Sequence, residues 1–270
     1  MENYVLGVDV GNTNTVFGLF SEESSSRKDT RILKSWRTHT RRERTSDELG
    51  IFLRGFLLTQ EIPLERIRGF IYSSVVPAFN IVVERMVRDY FPGEPLRVHY
   101  QNVPLKFVYP RPQEIGADRL VNAVAARALY EGDLIVIDLG TATTFCVLHG
   151  EEYVGGVIAP GLGLSMESLT RNAALLRSAE FAPPASGVIG DSTEHALQSG
   201  FFYGWVGLLR GIQEEIKKKN PERTYATIAT GGFASLIRRE TSGLFDAVDP
   251  DLTLKGLALI YRGRKNSNSP

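Results

Sequence analysis

One internal repeat constrains this chain more than any other feature. Val5–Phe20 and Leu134–Leu148 each read as a short apolar strand, an acid-glycine turn rich in hydroxyl residues, and a second apolar strand. Asp9 aligns with Asp138, Gly11 with Gly140 and Thr15 with Thr144, all at one offset of 129 residues (138 minus 9). Solenoid repeats recur every 20–50 residues or so, and this spacing is far longer. It predicts a duplicated α/β domain in which each half opens on a β-hairpin.

The segments between and after the hairpins fit that plan. Thr45–Glu48 has the Thr-x-x-Glu form of a capping box opening an amphipathic helix through Leu57. Gly69–Val75 reads as a buried strand and Ala78–Tyr90 as a helix stopped near Pro92. Asp118–Tyr130 reads as a helix with Leu120, Val121, Val124, Ala128 and Leu129 on one side. Tyr153–Ile158 is expected as a strand, Ser165–Leu176 and Ser192–Lys218 as helices, and Tyr225–Thr230 as a strand. A helix start at Gly232–Arg239 and a closing helix at Leu254–Arg262 complete the reading. The division expected is 1–115, 116–262 and a flexible polar tail at 263–270.

Each turn has the chemistry of a phosphate cradle. In Asp9-Val-Gly-Asn-Thr-Asn-Thr15, Gly11 allows a tight turn with positive φ, and Asn12–Thr15 supply hydroxyls, amides and backbone N–H donors. Asp9 can hold magnesium, directly or through a bound water. A single turn of this composition also makes an ordinary hairpin. The second copy, Asp138-Leu-Gly-Thr-Ala-Thr-Thr144, shifts the balance toward two turns serving one nucleotide. No G-x-x-x-x-G-K-[ST] loop is present, and Gly161-Leu-Gly163 lacks the rest of a dinucleotide fingerprint. Asp118, in Gly116-Ala-Asp118-Arg119, opens a helix whose N-terminus favours its ionised form. It can act as a general base or simply cap the helix, and Arg119 can steer an anion or pair locally.

Composition narrows the class. Lys+Arg and Asp+Glu are 31 each, so no basic excess marks a nucleic-acid binder. Arg27–Arg44 does hold eight Lys/Arg in eighteen residues, with only Trp36 interleaved, and reads as a solvated face or cleft rim. Glu214–Lys219 reads as a solvated helix end. No apolar run nears the roughly 20 residues of a membrane helix, and the start lacks signal-peptide character. Cys146 is the single cysteine, expected buried, and only four histidines are present, which leaves no basis for a disulfide or a zinc site. A cytoplasmic protein with no nucleic-acid or membrane partner is expected.

The duplicated turns, with Ala229-Thr-Gly-Gly-Phe233 between a strand and a helix, resemble the superfamily of acetate and sugar kinases, heat-shock chaperones and actin. That resemblance implies paired ribonuclease-H-like domains with ATP in the cleft between them. A narrower match follows in order along the chain. Tyr109-Pro-Arg-Pro-Gln-Glu-Ile-Gly116-Ala-Asp-Arg-Leu-Val-Asn122, then Asp138-Leu-Gly-Thr-Ala-Thr, then Gly155-Gly-Val-Ile-Ala-Pro-Gly161 are similar to type III pantothenate kinase. Asp9-Val-Gly-Asn-Thr-Asn-Thr and Thr38…Thr45-Ser-Asp-Glu48 fit the same family, and the resemblance runs from about Val5 to about Ile260.

The resemblance implies ATP-dependent phosphorylation of pantothenate to 4′-phosphopantothenate, the first step toward coenzyme A. It makes Asp118 the base. It gives ATP phosphates and magnesium to Asp9, Val10, Gly11, Asn12, Thr13, Asn14, Thr15 and Val16, with Thr141 from the second turn. Asp138 would ligate a monovalent cation, potassium or ammonium. Tyr109, Gly116, Ala117, Asp118, Arg119 and Thr193 would contact pantothenate, and the protein would be a homodimer. Where the family often has Gly-Lys-Asn-Thr, this chain has Gly190-Asp-Ser-Thr193. Two rivals share the fold: a non-enzymatic regulator, and a different small-molecule kinase or nucleotide-hydrolysing switch.

Overall fold

The computed structural model describes residues 2–23, 30–173, 176, 180–184 and 187–267, the last three by backbone alone. Its compact units are Met1–Tyr130 with Asp251–Pro270, and Glu131–Pro250.

In the first unit β1 (Tyr4–Val10) and β2 (Asn14–Ser21) form the first hairpin, with Asp9 opposite Val16 and Val10 opposite Thr15. The sheet adds β3 (Ile32–His39), β4 (Ile67–Ser74) and β5 (Pro95–Arg97) in the order β3-β2-β1-β4-β5. Residues alternate across a strand, so Leu6, Val8 and Val10 share one face of β1. They bury against Leu49 and Leu53 of α1 (Ser46–Thr59) and Val83 and Met86 of α2 (Pro77–Tyr90). The capping box forms: Glu48 N–H donates to Thr45 Oγ1 at 3.2 Å, and Thr45 N–H donates to Glu48 Oε2 at 2.8 Å. Pro77 stands at the start of α2, where a missing N–H costs nothing. A short strand, β6 (Lys106–Phe107), precedes α3 (Ala117–Leu129). At the far end of the chain α7 (Leu252–Ser267) returns to pack on α3 and on β1, β2 and β4.

The second unit repeats the strand order. β7 (Asp133–Leu139) and β8 (Ala142–His149) form its hairpin, continued by β9 (Glu152–Pro160) on one side and by β10 (Tyr225–Thr230) and β11 (Ala247–Val248) on the other. Buried and half-buried positions follow one another identically along β1 and β7, and again along β2 and β8. Ile135, Ile137 and Phe145 meet Phe202, Trp205 and Leu209 of α5 (Thr193–Lys219), Met166 of α4 (Leu162–Asn172) and Ile237 of α6 (Ala234–Glu240).

Several expectations change. The second turn is one residue shorter, so Thr143, opposite Leu139, is the counterpart of Thr15, and Thr144 is not. The unit boundary follows Tyr130 rather than residue 115, because α3 packs on α7 and β4 of the first unit. Helix α3 buries every residue from Leu120 to Ala126, not one side only. Helix α4 starts at Leu162, directly after Gly161, and ends at Asn172. Helix α7 continues through Ser267, so the tail expected from residue 263 is helical that far, and 268–270 lie outside the described residues. Strand β3 was not anticipated: it carries two of the eight cations of the basic cluster, Lys34 and Arg37, both exposed, with Trp36 buried between them. Charges on an edge strand discourage pairing with other chains. Arg27 and Lys28 lie outside the described residues.

Candidate active site

The first turn is built by three strands. Gly11 N–H donates to Asn14 C=O at 3.0 Å and closes it. The end of β3 then braces it from the side. Thr40 N–H donates to Thr13 C=O at 2.9 Å, Thr40 Oγ1 donates to Gly11 C=O at 2.7 Å, and the hydroxyls of Thr15 and Thr40 lie 2.9 Å apart. Arg44, stacked 5.4 Å from the Phe52 ring, donates to Thr38 Oγ1 at 3.2 Å and fixes the strand that carries Thr40. Gly11 does not have the positive φ expected of it. Its lack of a side chain matters through space, since a Cβ would meet Asn14 C=O at 3.0 Å.

The candidate ligands of this turn differ in access. Asn12 and Thr13 are exposed at the tip, while Gly11, Asn14, Val16 and Asp9 are half-buried. Val10 and Thr15 are buried. From β4, Ser73 Oγ donates to Asp9 Oδ1 at 2.7 Å.

Asp118 lies in the same unit, close by. Val75 N–H donates to Val10 C=O at 3.1 Å, and a methyl on Gly116 would stand 3.5 Å from Val75 Cγ1. One residue therefore links the end of the first hairpin to the start of α3. The Asp118 carboxyl folds back over Gly116, whose added Cβ would lie 2.5 Å from Asp118 Oδ1, and accepts the Arg119 N–H at 2.7 Å. Burial pushes its pKa above the ordinary aspartate value, and the Arg119 N–H and guanidinium pull back only in part. The N-terminal expectation of an easily ionised carboxylate is thus outweighed by desolvation. Tyr109 is half-buried on the segment leading to Gly116.

The second turn, in its own unit, is held differently. Gly140 N–H donates to Ala142 C=O at 3.2 Å. A Cβ on Gly161 would come within 2.0 Å of Thr141 C=O, and one on Gly231 within 2.6 Å of both Asp138 Oδ1 and the Leu139 backbone. Gly231 also has φ of +93°, open to glycine at little cost. Asp138 is half-buried and Thr141 exposed, while buried Thr143 accepts the Trp205 Nε1–H at 3.3 Å. Thr193 is exposed as the first residue of α5, where Ser192 caps the helix and the departing Asp191 pairs with His195.

Among the described residues, no three His, Cys, Asp or Glu side chains are placed together to hold a metal ion. Magnesium bound through nucleotide phosphates needs only one or two carboxylates, and Asp9 suits that pattern. Sequence reasoning missed Thr40 and Ser73. The one follows a charged, unrecognised strand, and the other ends a strand in an unremarked Ser-Ser pair.

The model of the type III pantothenate kinase family matches residues 5–215. The chain belongs to that family. It is a pantothenate kinase, a phosphotransferase with an alcohol acceptor. Its fold is that of the actin-like ATPases and sugar kinases. A conserved protein from Campylobacter jejuni, described as a Baf family transcriptional activator, is 18% identical with a TM-score of 0.58, covering 97% of this chain and 99% of that one. The ethanolamine utilization protein EutJ from Carboxydothermus hydrogenoformans is 16% identical at a TM-score of 0.56, covering 95% and 89%. A Sinorhizobium meliloti protein described as a 2-dehydro-3-deoxygalactonokinase is 14% identical at 0.56, covering 99% and 98%. No helix of the kinase, among the described residues, is long and apolar enough to cross a membrane.

Proposed function

We propose that the enzyme transfers the γ-phosphoryl group of ATP to the primary hydroxyl of pantothenate, giving 4′-phosphopantothenate and ADP, the first step toward coenzyme A in the cytoplasm. The observation that carries this reading is the desolvated Asp118 carboxyl, one residue's contact from a turn of phosphate-cradle composition. A carboxylate with a raised pKa is a stronger base, better matched to an alcohol proton. Asp118 takes the hydroxyl proton while the oxygen attacks the γ-phosphorus and ADP leaves. Transfer of this kind needs mainly positioning and charge stabilisation.

The turn from Asp9 to Val16 would hold the phosphates, largely by backbone donors at its tip, with Thr141 adding a contact from the second turn. Magnesium, when bound with ATP, would offset phosphate charge, and Asp9 would orient it directly or through water. Asp138 would hold potassium or ammonium. Tyr109, Gly116, Ala117, Arg119 and Thr193 would bind pantothenate, with Arg119 facing its anionic end. Homodimerisation is supported by the exposed Leu164, Leu169, Ile189 and Tyr203 of the second unit. The open glycines 200, 204 and 207 along α5 would let a second helix approach.

An ADP-release assay with and without pantothenate, in potassium and in sodium buffer, tests the reading. Release that requires pantothenate and is faster in potassium is the expected result. Release without pantothenate would make the protein a nucleotide hydrolase, and no release at all would favour a regulator.

A further inference from the structure

Asp9 is the penultimate residue of β1, just before the first turn. Its lateral neighbour in the parallel register of β4 is Ser73. Ser73 is fully buried, and its hydroxyl donates to Asp9 Oδ1 at 2.7 Å. The next residue is employed elsewhere: Ser74 Oγ accepts the Val76 N–H at 3.1 Å and so shapes the entry to α2. Two adjacent serines thus have separate tasks, because successive side chains of a strand point to opposite faces. The same register recurs in the second unit, where Asp138 neighbours Thr230, again a buried hydroxyl residue.

We infer that Ser73 is a positioning residue, whose hydroxyl orients the Asp9 carboxylate toward the magnesium of the bound nucleotide. The inference rests on the assignment of Asp9 to the magnesium side of the ATP site. A hydroxyl bonded to a carboxylate is a charge-assisted contact that fixes the plane of the acid. Magnesium demands near-ideal octahedral geometry, so an acid serving it gains from being held in one orientation. Partners that orient such a group commonly change affinity 10–100-fold when removed.

The test is ATP binding by calorimetry, with saturating magnesium and with EDTA, on wild type, Ser73→Ala, Ser73→Thr, Ser74→Ala and Asp9→Asn. Ser73→Ala should weaken binding about 10–100-fold in magnesium and within about twofold in EDTA. Ser73→Thr, which keeps the hydroxyl, should recover most of the loss, and Ser74→Ala should bind as wild type. In turnover assays Ser73→Ala should raise KM for MgATP while KM for pantothenate stays constant. Should the alanine variant fail to fold, Ser73→Cys, of similar shape but a weak donor, gives the same readout. The inference is overturned if Ser73→Ala keeps wild-type magnesium dependence while Asp9→Asn loses it. If Asp9→Asn also keeps it, the assignment of Asp9 falls, and the role of Ser73 with it.

Discussion

The two hairpins share strand order, burial pattern and an Asp-x-Gly turn, yet each is held by a different device. Thr40 and Ser73 brace the first: the Thr40 hydroxyl engages Gly11 and Thr15, its backbone N–H engages Thr13, and the Ser73 hydroxyl engages Asp9. Close backbone approach shapes the second, with Gly161 against Thr141 and Gly231 against Asp138. The first has three residues between its strands and the second only two. A longer turn has a tip to be steadied, and Thr40, just past β3, supplies that through its backbone N–H and its hydroxyl. A shorter turn is already tight, and what it requires of its neighbours is that they have no side chain. One hairpin design thus yields a donor-rich loop in one unit and a confined acid in the other.

Four substitutions or titrations test this contrast. The largest effect belongs to Asp118, which stands beside the first turn and has no equivalent among the residues of the second hairpin. Asp118→Asn should lower turnover about 10²–10⁴-fold, with MgATP affinity retained. Its melting temperature should stay at or above wild type near neutral pH, since an amide avoids the cost of ionising a desolvated carboxyl. Unimpaired turnover at saturating substrates would reduce Asp118 to a helix cap.

Gly231→Ala comes next, with a predicted loss of about 1–3 kcal/mol in chemical denaturation from overpacking and an unfavourable φ. Displacing Asp138 should also abolish the proposed advantage of potassium over sodium in rate. An alanine variant as stable as wild type would refute the claim that backbone approach confines the second turn.

Thr40→Val should cost about 1 kcal/mol by removing the part-buried hydrogen bond to Gly11 C=O, and should raise KM for ATP more than it lowers kcat. Thr40→Ser should restore both. Equal behaviour of the valine and serine variants would show that packing, not the hydroxyl, steadies the first turn.

The smallest effect is in pH. The Asp118 pKa is raised in the folded protein, so the folded state binds more protons than the unfolded state between the two values. Stability from this group is complete below the unfolded value and is lost as pH rises through the folded one. The melting difference between wild type and Asp118→Asn should therefore narrow in acid. The acidic limb of kcat/KM should lie above the ordinary aspartate range, and a limb within that range would remove the proposed desolvation.

The pattern of short apolar runs and turn residues is local, and it alone placed both hairpins, the capping box at Thr45 and the strand Tyr225–Thr230. The acid at each strand end, and Asp118 at a helix start, could also be read from their neighbours in sequence. Strand β3 escaped because its alternation is diluted by cations, leaving only Trp36 as a buried marker. Thr144 was matched to Thr15 because a constant offset carries no knowledge of turn length, which strand pairing alone corrected. The closing helix joined the first unit because it finds α3 there, far away in sequence. Likewise Ser73 and Asp9 are 64 positions apart, and Thr40 and Gly11 are 29 apart. Periodicity decides which face of a strand is buried; only the folded sheet decides which hydroxyl lands beside which carboxylate, because register between distant strands is fixed by the packing of the whole unit.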